Sequence, residues 1–336
     1  MMNGLRAVIG MTLLASLVVL GVGSARADEQ ISGPGPFTIF KNTRLVGDVD
    51  CTLVFAGPCI LIGRDNIELK LNGFTITGPV ATLFDLDGPG PLPPFGPIVG
   101  CGGQLFFPLN AQSTFFPGLD GINTGGFSHV KIRGPGKVLL FGDHGIHVSG
   151  GRKVEVRGVA SGMNCHNGIQ LSASDSEVRD NVTWNNSSFA DPSLASPPPG
   201  IPLVGSGGIE VAGNNNRVRR NEAIGNGVET ATALGLVLFG IGVTAGTGNE
   251  IEENGASGNF PNGIVLFQGT SGNVVRRNLA LANSTINDAV SSSGGLDILE
   301  LGGSNTFRDN LCQTAFGTTA CPNTPKFAGH KNAHDD

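Results

Sequence analysis

The chain has 336 residues, 53 of them glycine, with one tryptophan, no tyrosine and a formal net charge of −6. That charge points away from nucleic-acid and membrane-surface partners. High glycine and asparagine with few helix formers indicates a turn-dense, all-β chain.

The first segment is not part of the fold. Arg6 precedes an apolar run from Ala7 to Val22, and small residues lead to Ala25-Arg26-Ala27. This is the pattern of a secretory signal peptide over residues 1–27, with a mature chain starting at Asp28. The run sits near the lower limit for a membrane span, and no later segment is long and apolar enough. A secreted or periplasmic protein is expected, with no membrane span after signal removal. Cys51/Cys59 and Cys312/Cys321 are local pairs placed to staple the two ends in an oxidising compartment; Cys101 and Cys165 either pair or stay free.

From Gly121 onward a Gly-Ile-x-Val/Leu element recurs. It reads Gly145-Ile146-His147-Val148, Gly168-Ile169-Gln170-Leu171, Gly208-Ile209-Glu210-Val211, Gly240-Ile241-Gly242-Val243 and Gly263-Ile264-Val265-Leu266, and closes on Gly295-Leu296-Asp297-Ile298. An apolar-x-x-Asn element trails it, as in Val178-Arg179-Asp180-Asn181 and Val218-Arg219-Arg220-Asn221. The shortest repeat, 23 to 24 residues, holds two or three short strands separated by Gly or Asn turns. No such coil can bury its apolar face alone, but a parallel stack at about 4.8 Å can. The extra residues of longer repeats all fall between the Asn and the next Ile, so they emerge on one side. They include Ser187 to Pro202; a further Pro- and Phe-rich insertion covers Asp85 to Phe116. The domain is expected over residues 28–313, with a cap and flexible tail over 314–336.

On these residues the chain resembles the right-handed parallel β-helix superfamily, over about Phe37 to Leu311. Asn66 to Gly78 is similar to the early coils of bacterial members. The apolar-x-x-Asn rungs resemble those of NosD-type periplasmic proteins and pectate-lyase-like enzymes. The resemblance implies an all-β, single-stranded right-handed solenoid with loop insertions at one turn. It leaves the reaction open, because the fold hosts many activities.

In the Gly-Ile-x-Val strand the x residue points outward. The outward column is Asn123, His147, Gln170, Glu210, Gly242, Val265 and Asp297. His147 or His144 is the expected general base or acid, with Asp143 orienting it and Glu210 as a second acid/base. Gln170, Trp184 and Arg179 are the expected substrate contacts. A polar, water-facing strand is the competing explanation.

Asp120-Gly121-Ile122 and His144-Gly145-Ile146 resemble polygalacturonase elements, yet here they are the repeat itself, without the paired aspartates between them. A hydrolase needs two carboxylates about 5 to 9.5 Å apart. Three rungs place Glu210 and Asp297 about 14 Å apart. A lyase or epimerase of uronic-acid polymers needs a base, such as His147, and a positive group or Ca²⁺. Arg152, Lys153 or Arg157 would neutralise if near. Aspartate clusters for Ca²⁺ are not evident, and the cofactor stays open. The column Arg179, Arg219, Glu252, Arg276, Arg308 reads as an interleaved salt-bridge ladder or a grip on an acidic polymer. Met163, Cys165 and His166 are soft ligands with which a NosD-like protein would hold copper. The expectation is a secreted, monomeric β-helix acting on acidic polysaccharide in a lyase- or epimerase-like way. The alternatives are a non-catalytic glycan-binding or scaffold protein and a NosD-like periplasmic accessory protein.

Overall fold

The computed structural model describes residues 28–54, 56–79, 119–187, 206–227, 237–283, 296–317 and 321. The segments read as signal peptide, Asp85 to Phe116 insertion and C-terminal tail lie outside these residues, as do Cys101 and most of the Ser187 to Pro202 loop.

All strand pairings are parallel, and each coil contributes three short strands, to what we call faces 1, 2 and 3. One coil runs through Ile146–Val148 on face 1, Glu155–Arg157 on face 2 and Ala160–Gly162 on face 3; the next runs through Ile169–Leu171, Glu177–Arg179 and Val182–Trp184. Face 1 is a 10-stranded sheet; faces 2 and 3 join into an 18-stranded one. No helix of the described residues is long and apolar enough to cross a membrane. The architecture is a right-handed parallel β-helix.

Alternation in each three-residue strand sends its apolar residues inward. Ile146, Val148, Ile169, Leu171, Ile209 and Val211 stack on face 1, and Val156, Val178, Val218, Ile251 and Val275 on face 2. Face 3 turns small residues inward: Ser161, Thr183, Ala223, Ala256 and Ala280. The face 2 to face 3 corner takes only two residues, such as Asp180-Asn181. Asp180 there adopts φ 56°, a left-handed conformation that Asp and Asn tolerate.

Asparagines from successive coils form ladders at all three corners. Asn181, Asn221, Asn254, Asn278 and Asn310 make one, each Nδ2 donating 3.0 Å to the next Oδ1. Asn164, Asn186, Asn226, Asn259 and Asn283 make a second. Asn216, Asn249, Asn273 and Asn305 belong to the third; Asn249 and Asn273 carry it by the same side-chain bond. Each side chain also satisfies a neighbouring backbone group, so these buried amides complete the hydrogen bonding of corners that strand pairing leaves open.

The last repeat corrects the sequence register. Ile298, not Leu296, pairs with Ile264, so Leu299 occupies the outward position and Asp297 does not. Asp297 is buried and ends the second ladder, accepting from Asn283 through Oδ1 and from the backbone N–H groups of Gln313 and Thr314 through Oδ2. A carboxylate can only accept, which suits the last step of a ladder of donors. Regular pairing also runs beyond the Phe37 to Leu311 span of the resemblance. Glu29–Pro34 pairs with Thr43–Asp50 at one end, and Ala315–Phe316 pairs with Ile298–Glu300 at the other. The Cys51–Cys59 and Cys312–Cys321 disulfides are formed, and Cys165 is also disulfide-bonded.

Residues 80–118, 188–205, 228–236 and 284–295 each follow a face 3 strand and precede a face 1 strand in the chain. Insertions therefore share one corner, the one beside the outward columns of face 1.

Candidate functional site

Face 1 carries two outward columns. One is the x position of the repeat: Asn123, His147, Gln170 and Glu210 on successive coils. The other lies two residues before the repeated Ile: Asp120, His144, Asn167 and Gly207. The turn before each strand brings the second column beside the first.

Asp120 is fully buried (0% exposed) and anchors the cluster. Its Oδ2 lies 3.0 Å from His147 Nδ1 and accepts from Asn123 Nδ2 at 2.7 Å; its Oδ1 accepts from the His144 backbone N–H at 3.3 Å. Asn123 is itself oriented, its Oδ1 accepting from the Gly125 N–H and Ser149 Oγ. His147 Nδ1 faces two groups, Asp120 Oδ2 at 3.0 Å and Asn123 Nδ2 at 3.2 Å; the carboxylate is nearer and charged and can only accept, which favours the hydrogen on Nδ1 and the lone pair on Nε2. The His147 side chain is 24% exposed.

His144 is buried against this pair. Its Nδ1 accepts from the Asn167 N–H at 3.3 Å, which leaves the hydrogen on Nε2, 3.2 Å from Asp143 Oδ1. The same Oδ1 lies 3.0 Å from His166 Nδ1. The His144 ring sits 4.9 Å from that of His147 and 5.2 Å from that of His166, centroid to centroid. Burial pushes the His144 pKa down to about 4; the Asp143 carboxylate opposes this, and charge on His166 adds to it. His144 is therefore a neutral spacer at neutral pH.

Glu210 is 3% exposed. It accepts from Asn167 Nδ2 (2.6 Å), Gln170 Nε2 (3.1 Å) and Thr244 Oγ1 (2.8 Å). Asn167 thus ties the histidine cluster to Glu210 through its backbone and side chain. Beyond Glu210 the column closes: Gly242 is covered by Phe239, and Val265 is buried.

His147, His144, Asp143, Gln170 and Glu210 thus come together on three neighbouring coils. Trp184 and Arg179 do not join them. Trp184 ends a face 3 strand, its ring over Gly162 where a side chain would collide. Arg179 stands on face 2, paired with Glu155 (2.8 Å), Glu177 (3.0 Å) and Asp180 (3.2 Å). Arg152 and Arg157 are likewise held, by Asp175 and Asp180. Met163, Cys165 and His166 offer no copper thiolate, because Cys165 is in a disulfide.

Asp120 and Asn167 are the residues missed in the sequence. Both stand two residues before a repeated Ile, a column as regular in the sequence as the x position.

Asp120, His144 and His147 place one potential ligand atom each within 4.8 Å of one another, and so do Asp143, His144 and His166. The Asn167 N–H pointing at His144 Nδ1 puts a hydrogen on Nε2, which suits a hydrogen-bonded network better than ligation through that atom.

No protein-family model matches the chain. No curated protein matches it. Among solved structures it is similar to the full-length tailspike protein 2 of an Escherichia coli O157:H7 bacteriophage, at 11% identity and TM-score 0.53, covering 85% of this chain and 36% of that one. It is also similar to the enzymatically active domain of bacteriophage CBA120 tailspike protein 2, at 13% identity and TM-score 0.52, covering 86% of this chain and 40% of that one. The chain spans less than half the length of either. The three-faced ladder and these likenesses together identify the chain, in fold, as a right-handed parallel β-helix repeat protein.

Proposed function

We propose that the chain is a carbohydrate-active β-helix protein acting on acidic polysaccharide, with His147 as general base in lyase- or epimerase-like chemistry. The observation that carries this is the Asp120–His147 pair. A fully buried carboxylate fixes the ring through Nδ1, and among the described residues no hydrogen bond occupies Nε2. That is the arrangement by which an imidazole is oriented to take a proton.

Abstraction of the proton beside a uronate carboxyl needs one such base together with a cation at the carboxylate, a part that Arg152 and Arg157, held by Asp175 and Asp180, do not supply here. Hydrolysis needs two carboxylates that reach the substrate, and this site offers none as open as His147. Asp120 has no exposed surface, and Glu210 is buried among three donors. In this reading Asp120 and Glu210 are positioning residues; Glu210 holds Gln170, which faces the substrate beside His147. Asp143 and His166 form a second carboxylate–imidazole contact on the other side of His144. The three disulfide-bonded sites support an oxidising, extracellular or periplasmic setting. One neighbouring structure is an enzymatically active domain by name, so the fold accommodates catalysis.

The test is a screen of carboxylated polysaccharides, followed by ultraviolet absorbance of unsaturated product and by solvent-deuterium exchange at C5. Elimination or exchange is expected, and His147→Ala should lower it by about two to four orders of magnitude. Wild-type activity in a folded His147→Ala protein, or turnover of neutral polymers alone, would refute the assignment.

A further inference from the structure

Face 2 carries its own outward column, and its sign changes along the solenoid. Lys70, Arg133, Arg157, Arg179 and Arg219 occupy one position on five successive coils. The same position then becomes Glu252, Arg276 and Arg308. Strand spacing sets these cations about 4.8 Å apart, and they stand in a chain whose net charge is −6.

In the first part the acids are shared: Lys70 meets Asp28 and Glu68, Arg133 meets Glu68 and Glu155, Arg179 meets Glu155 and Glu177, and Arg219 meets Glu177, so that with Asp180 five acids serve six cations, Arg220 included. Asp180 alone receives three guanidinium groups: Arg220 at 2.8 Å, and Arg157 and Arg179 at 3.2 Å each. Arg220, the closest, holds the Asp180 carboxyl below the usual carboxylate range. In the second part the signs match. Arg276 meets Glu250 and Glu252, and Arg277 meets Glu252 and Glu253.

The cause of the shortage is visible at the corner that follows each face 2 strand. That position holds Asp180, Arg220, Glu253, Arg277 and Asp309 from the fourth of these coils onward, and Gly134 and Gly158 on the second and third. A shallow cleft of about 610 Å³ opens there, lined by Arg133, Gly134, Pro135, Arg157, Gly158, Asp180 and Arg220. Arg157 and Arg220 are 46% and 44% exposed. A guanidinium has five donors in a planar fork, and Arg157 has one short ionic contact, to Asp180.

We propose that this stretch of face 2 is a binding track for an anionic polysaccharide, with the Gly134–Gly158 cleft as the subsite where a glycan carboxylate or sulfate takes the place of the missing acid. It shares with the function proposed above only the acidic-glycan ligand, and it lies on a different face from His147. Bidentate contacts from Arg157 and Arg220 would supply the recognition, and the regular rise of the column suits a linear polymer.

Gly158→Asp tests the track. Gly158 has φ 68°, and a Cβ there would meet nothing closer than 3.9 Å. Asp180 already takes this conformation one coil on, at φ 56°. The substitution installs the acid that the ligand is proposed to replace. Binding is measured in the His147→Ala background, where turnover does not interfere, with polygalacturonate, dextran sulfate, neutral dextran and duplex DNA as probes. Binding to one or both acidic glycans, weakening with salt, is expected, and which of the two binds separates carboxylate from sulfate. Gly158→Asp should reduce it about tenfold or more, as should Arg157→Gln, while Arg276→Ala leaves it near the parent value.

Unchanged affinity in Gly158→Asp and Arg157→Gln, both shown folded by circular dichroism, would overturn the proposal. Equal binding of neutral dextran, or tighter binding of DNA, would do the same. Turnover by the wild type without such binding removes the track alone; binding without turnover removes only the proposed catalysis.

Discussion

The coils before residue 181 and those after residue 206 share one aliphatic core but divide the polar residues differently. In the later coils buried polarity goes into structure. All three corners carry asparagine ladders there, the outward face 1 column is sealed by Gly242, Phe239 and Val265, and the face 2 charges alternate. In the earlier coils glycine takes the Asp180 position of the face 2 to face 3 corner on two coils, the outward column is histidine and amide, and cations outnumber acids on the face 2 strands. A solenoid is stabilised by nearest-neighbour contacts, so one stretch can be held rigid while another carries strained or ionisable groups. The proposed base and the proposed binding track both lie where hydrogen bonding is least repetitive.

The comparison breaks if the ladders matter little. Asn254→Ala would leave the Val218 carbonyl, the Asn221 N–H and one Asn221 amide hydrogen without their partner. Several buried groups lost together should cost about 4 kcal/mol. Urea unfolding would show it, and hydrogen exchange should place the lost protection in the later coils.

A second, smaller effect belongs to the earlier coils. The His144 pKa lies near 4 in the folded protein, against 6.5 ordinarily. Between those values the unfolded chain takes up a proton that the folded chain refuses, so stability falls as pH drops from about 6.5 to about 4 and is unaffected by this group above that window. The full loss is about 3 kcal/mol. A pH series of urea midpoints in wild type and His144→Gln should show a flatter profile in the variant; parallel profiles would mean that burial of His144 does not govern the cluster.

The smallest effect is expected on face 2 of the later coils. Arg217 is 54% exposed and pairs with Glu250 at 3.0 Å. Arg217→Ala should change stability by no more than about 0.5 kcal/mol, because exposed pairs are screened and lose side-chain entropy. A larger loss would show that the ladder works as a network.

Much of this was legible in the residue order. The Gly-Ile-x-Val and apolar-x-x-Asn elements gave the coil length, the inward and outward faces and the common corner of the insertions, because strand alternation and corner geometry are local. His147, Gln170 and Glu210 were placed in one column for the same reason. The failures are also local in origin. Gly295-Leu296-Asp297-Ile298 offers two apolar residues, and only the need to end the Asn283 ladder with an acceptor chooses Ile298 as the inward one. Asp120 and Asn167 lie outside the alternating strand, two residues before a repeated Ile, where the spacing shows a column but strand alternation does not show which way its side chains turn. Arg179 was read as a substrate contact beside charges of mixed sign, but the cations ahead of it, from Lys70 to Arg157, fall in its column only once the long insertion is passed and the register fixed.

The amino-acid sequence by itself determined the solenoid, since repetition at a fixed spacing makes each coil the template for the next. It also determined which residues face out. The tertiary structure decided what those residues do to one another. The buried Asp120 oriented the His147 ring, enclosure of His144 kept it neutral, and two glycines at a corner left Arg157 with a single carboxylate. Each depends on distances across coils and on exclusion of water, which arise only when residues far apart in the chain are stacked.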